Sequence, residues 1–135
     1  MPTQLPVSRA AMWLLVFSTA IAGAATFTPE EIAAESAKAS EFFDRVFDEV
    51  VDRNPEFQTF LGIKKDYDKW NDDSEPAQIA NLGYTIAAYE ELKRTIDFDK
   101  LDAAAKVNYR LWMRGAENTI SAWQWRRHNY PVNQM

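Results

Sequence analysis

The chain has 135 residues, room for one domain at most, and 47% of them are apolar, as in an ordinary globular protein. A formal charge of −5 withholds the basic footprint that nucleic-acid binding needs. With no cysteine, disulfides, thiolate chemistry, Cys-ligated zinc and a lipoprotein anchor are all excluded.

Arg9 is the only charged residue of the first 24, so the rest carries 14 basic against 20 acidic groups. After Arg9 comes an apolar run from Ala10 to about Ala25, closed by Ala22-Gly23-Ala24. One positive charge, an apolar stretch and an A-x-A site make a secretory signal peptide over residues 1–24, cut near Ala24. The run is short of the ~20 residues that span a bilayer, so no stable membrane span is expected after cleavage. The address predicts a periplasmic or secreted protein.

In the chain beyond, Thr28-Pro29-Glu30-Glu31 reads as a helix start, with Thr28 and Glu31 forming a capping box and Pro29 in the first turn. The helix is expected to run to Arg53, with Ile32, Ala39, Phe43, Val46, Phe47 and Val50 as its inner face. Asn54-Pro55 breaks it. A short helix follows in "PEFQTFLG", with Phe57, Phe60 and Leu61 turned inward and Gly62 as a stop. "IKKDYDKWNDDSEP" is a polar loop. Ser74 and Pro76 open the next helix, to about Ile96, with Ile79, Leu82, Ile86, Tyr89 and Ile96 inward. Asp97-Phe98-Asp99 is a connector. A last helix covers about Leu101 to Arg127. No stretch alternates as a strand would. The fold class is therefore all-α: three long helices plus one short helix.

In the last helix Lys106, Arg110, Arg114, Glu117, Ser121 and Gln124 line up in one narrow polar stripe. Leu101, Val107, Tyr109, Leu111, Trp112, Met113, Ile120, Trp123 and Trp125 fill most of the remaining girth. A surface helix ordinarily buries a stripe little wider than about 100°. Two flanking helices hardly suffice here. Either the chain oligomerises or more of the same polypeptide covers this helix; the expectation is the second, with the chain an N-terminal piece of a larger protein.

Motifs for chemistry fall short of their requirements. The loop carboxylates Asp66, Asp68, Asp72, Asp73 and Glu75 invite a calcium-loop reading. Trp70, Asn71 and Ala77 stand where that loop needs a ligand, a glycine and a glutamate. A solvated loop with a helix cap explains it better. His128 is the single histidine, and a zinc site takes two or three. Arg126, Arg127 and His128 suit the negative end of a helix dipole. "WQWRRHNY" interleaves aromatic and basic residues, which reads as buried rings with a basic cap. Carboxylate pairs such as Glu90/Glu91 and Asp72/Asp73 do not converge, because adjacent helical residues point apart. No catalytic, cofactor-binding or metal-ligating residue is assigned.

Four phrases occur in order: "RVFDEVVDRNPEFQTFLGI", "WNDDS", "LDAAAKVNYRLW" and "NYPVNQM". Together they resemble the N-terminal portion of the bacterial family called domain of unknown function 885, over about Glu41 to Met135. Residues 25–135 would then be an incomplete N-terminal helical region of that domain. The resemblance implies an exported, largely helical protein of several hundred residues. It also implies a downstream His-Glu-x-x-Pro-Gly-His segment, similar to a zinc metallopeptidase helix, acting on peptides. None of those metal-binding positions lies in this chain, so zinc belongs to the full-length relatives, and the partner expected here is the missing C-terminal part. The other reading is a complete small periplasmic helical module that binds or chaperones, using its Trp-rich last helix as the contact surface.

Overall fold

The computed structural model describes residues 27–128. Residues 1–24, expected to be a signal peptide, and the closing "NYPVNQM" lie outside the described residues. Within them the chain is all-α. The elements are α1 (Pro29–Asp52), α2 (Pro55–Phe60), α3 (Glu75–Thr95) and α4 (Ala103–Ala122), with 3-10 turns at Phe98–Lys100 and Trp123–Trp125. No strand occurs among the described residues.

The helix starts obey local chemistry. Thr28 accepts from the Glu31 N–H at 3.2 Å while the Glu31 carboxylate accepts from the Thr28 N–H at 2.9 Å, the reciprocal capping box. Asn54 caps α2 through the Phe57 N–H at 2.9 Å, and Ser74 caps α3. Asp102 caps α4 through the Ala105 N–H at 2.7 Å. Gly62 closes the turn after α2 with φ +80, a backbone state that costs a residue bearing a Cβ.

The three long helices form an up-down-up bundle. Phe42 of α1 meets Trp112 of α4 edge to face at 5.6 Å, and Arg45 pairs with Glu91 of α3 at 2.6 Å. The core runs along their common axis: Ala39, Phe42 and Val46 from α1, Ala88 and Leu92 from α3, Ala105 from α4, and Ile96 and Leu101 from the connector.

That connector is pinned by one turn of α1. Lys38 Nζ donates to the Thr95 carbonyl. The Asp97 N–H donates to Glu35 Oε1 at 2.8 Å, and the Asp102 N–H to the buried Ser36 Oγ at 3.0 Å. Three successive polar side chains of α1 thus receive the end of α3 and the beginning of α4, where backbone groups lack helical partners.

Several expected inner faces are rotated. On α1, Phe42 and Val51 are buried, whereas Phe47 and Val50 are exposed. On α2, Gln58 is fully buried, while Phe60 is 83% exposed and Leu61 also faces out. The reason is visible at the end of α1: Gln58 Nε2 donates to the Val51 carbonyl at 3.0 Å, beside the Asn54 N–H at 3.1 Å, and to the Asp52 carbonyl at 3.4 Å. On α3, Ile79 and Ile86 are exposed and Ala88 and Leu92 take their place, since alanine lets helices approach closely. The last helix is α-helical only to Ala122, then tightens through Trp123–Trp125.

Candidate functional site

The exposed apolar residues are not scattered. Phe43, Phe47 and Val50 of α1 and Leu111 of α4 face a common trough between the two helices. Its volume is about 520 Å³, Val46, Asn108 and Trp112 complete its apolar and amide lining, and Asp44 adds one carboxylate.

Leu111 is 67% exposed and Phe47 50%, and Val107 and Val50 are exposed with them. Trp112 forms the trough floor, half-buried, held edge-on against Phe42. A smaller cleft of about 240 Å³ continues over the same Trp112, Val46 and Val50 to Tyr84 of α3 and to Gly115, Ala116 and Thr119 of α4. A Cβ placed on Gly115 would meet nothing, so the α4 backbone is open to close approach there. Burial raises the Tyr84 phenol above its usual range, and its hydroxyl has no hydrogen-bond partner. Phenyl rings carry the apolar surface onward: Phe47 meets Phe57 at 6.1 Å and Phe57 stacks on Phe60 at 6.2 Å.

The wide apolar girth expected for α4 is therefore real but only half covered: Ala105 and Ala116 are buried, Trp112 and Trp123 are half-buried, and Val107, Leu111 and Trp125 face outward. The outward part of this surface, at Leu111, adjoins Phe47 and Val50 of α1.

Several of the residues weighed for chemistry are paired with neighbours. In the 64–74 loop, Asp66 holds Lys69 at 2.8 Å, and that hydrogen bond holds its carboxyl below the usual range. Asp72 accepts from the Ser74 N–H at 2.9 Å, and the Ser74 side chain first, then that N–H, hold its carboxyl below the usual range. Arg126 and Arg127 do not simply face the end of their helix: both reach Glu75 Oε1, at 3.3 and 2.8 Å, and Arg127 first, then Arg126, hold that carboxyl below its usual range. His128 rests edge-on against Trp125 at 5.2 Å. Among the described residues no group of three or more His, Asp or Glu side chains is placed to hold a metal.

The residues that sequence reasoning missed are Gln58, Ser36 and Gly115. Ser36 stands amid alanines on the inner face, and a lone hydroxyl there signals a backbone partner. Compared with family models, with curated proteins and with solved structures, the chain has no match.

Proposed function

We propose that this chain is a non-catalytic helical scaffold, the N-terminal helical region of an exported, metallopeptidase-like protein of the family it resembles. Its α1/α4 face seats against further polypeptide of the same protein. The observation that carries this reading is the largely apolar trough between α1 and α4, lined by Leu111, Phe47 and Trp112, with Asp44 as the one charged residue of its lining. A fourth helix laid into such a trough completes a bundle by inserting its ridge between two parallel neighbours. Catalysis, zinc and peptide substrate belong to the part that carries His-Glu-x-x-Pro-Gly-His. This chain supplies wall and support, and no reaction step is assigned to its residues.

Export to the periplasm or beyond is part of the same reading and rests on Arg9, the apolar run after it and Ala22-Gly23-Ala24. No helix among the described residues is long and apolar enough to cross a membrane.

The test is to read the coding sequence beyond Met135. An open frame that encodes His-Glu-x-x-Pro-Gly-His carries the reading. A stop codon directly after Met135, with a soluble stable product, overturns it in favour of a self-sufficient binding module. Amino-terminal sequencing of the exported protein checks the address: the expected first residue is Ala25.

A further inference from the structure

A second cleft lies away from the α1/α4 trough, where the 64–74 loop folds back on α2. Its volume is about 390 Å³, and Glu56, Thr59, Tyr67, Asp68, Lys69 and Trp70 line it. The loop is fastened in place. The Asn71 N–H donates to Glu56 Oε1 at 3.3 Å, and the Glu56 N–H donates to Asn71 Oδ1 at 3.2 Å. The Lys69 N–H closes a turn on the Asp66 carbonyl at 3.0 Å. On this fastened loop Trp70 is 84% exposed and Tyr67 69%. Two large rings presented to water on a tied-down segment are costly to leave bare, since each offers a wide apolar face.

Around the rings carboxylates outnumber cations. Glu56 and Asp68 line the cleft together with Lys69, whose ammonium bonds Asp66 at 2.8 Å and is also attracted by Asp68. Elsewhere in the molecule cations already cover rings: Arg45 lies over Phe42, Arg53 over Tyr84 and Arg110 over Phe98. No Lys or Arg among the described residues lies over Tyr67 or Trp70. Open aromatic faces in a cleft with this excess of carboxylate over ammonium repel anions and attract a cation that also has apolar surface. Tryptophan is the strongest side chain for that contact.

We infer that the Tyr67/Trp70 cleft binds a small organic cation of the quaternary-ammonium type, with the indole of Trp70 and the phenol of Tyr67 against its methyl groups and Asp68 and Glu56 supplying the counter-charge. This site is separate from the proposed docking trough and does not depend on it. No bond is made or broken, and exclusion of an anion follows from the same carboxylates.

The test uses the full chain and two probes of equal shape: choline, and its uncharged isostere 3,3-dimethyl-1-butanol. The indole N–H resonance of Trp70, assigned by its loss in Trp70→Phe, reports binding. Choline should shift it saturably, with half-saturation on the order of millimolar, as expected for two partly exposed rings and a carboxylate. Dimethylbutanol should shift it at least ten times more weakly. Asp68→Asn should weaken choline about fivefold while leaving the rings in place, and raising salt should weaken it further. Trp70 is exposed, so Trp70→Ala should fold as the parent does and abolish the response of a second reporter, the Tyr67 ring protons. Equal response to both probes, or no saturable shift up to about 100 mM choline, overturns the proposal.

Discussion

Leu92 is the largest apolar side chain with no exposure at all, and it sits where all three long helices meet. Leu92→Ala should therefore cost about 2–5 kcal/mol of unfolding free energy in urea, the range for an enclosed leucine whose cavity cannot collapse. A cost well under 1 kcal/mol would mean that the bundle core is not where Ala39, Phe42 and Leu92 place it. Glu75 makes a different residue-scale prediction. Its carboxyl is held below its ordinary value of 4.5 by Arg127 and then Arg126. A lowered folded value means that the tie from the end of α4 to the start of α3 adds stability above the ordinary carboxylate range. That contribution is lost as pH falls through the lowered value. The thermal midpoint followed by circular dichroism should drop between about pH 5 and pH 3. Glu75→Gln should flatten the part of that drop that belongs to this tie, and an unchanged acid limb would show the arginines to be idle there. The group is solvent-exposed, so the effect is small and screened by salt.

At the scale of elements, the α3–α4 connection is a junction of side chains from one turn of α1. Ser36→Ala leaves the Asp102 N–H without its acceptor at 3.0 Å, and Asp102→Ala removes the α4 cap at 2.7 Å. Each should lower the unfolding free energy by about 1 kcal/mol. The double variant should fall short of additivity, because both act on Asp102 and the same helix start. Helix ends of this kind were readable beforehand: Thr28 with Glu31, Asn54-Pro55, Ser74 with Pro76 and Gly62 all signal their own geometry through local bonds. The inner faces were less so. A reading by large apolar residues selects Phe47, Val50, Ile79 and Ile86, yet these point outward. The positions that decide the packing are Ala39, Ala88, Ala105 and Ala116, whose small size lets the helices close on one another. Alanine carries almost no periodic signal, and which side of a nearly all-apolar helix turns inward is settled by its neighbours. Gln58 escaped notice for a related reason: a glutamine reads as surface until the carbonyls at the end of α1 are set beside it.

For the molecule as a whole, the decisive matter is that the apolar surface of α4 is shared between two jobs. One side closes the core through Ala105 and Ala116; the other, with Leu111, faces the trough beside Phe47 and Val50. Were the trough already satisfied within the bundle, removing its side chains would destabilise the chain as core substitutions do. If instead it awaits a partner, the isolated chain should hardly notice. Phe47→Ser and Leu111→Ser together should therefore change the unfolding free energy by no more than about 1 kcal/mol, as for two exposed positions. The same pair should cut the binding of a hydrophobic dye severalfold. Trp112→Ala sits between these limits: the indole is half-buried on Phe42 at 5.6 Å, so it should cost more than the exposed pair and less than the ~5 kcal/mol of a fully enclosed ring. The ordering Leu92→Ala and Trp112→Ala above the Phe47/Leu111 pair, with dye binding falling most in the pair, is what a docking face requires. A pair variant as damaging as Leu92→Ala would show the trough to be an interior of the bundle, and the scaffold reading would lose its principal support.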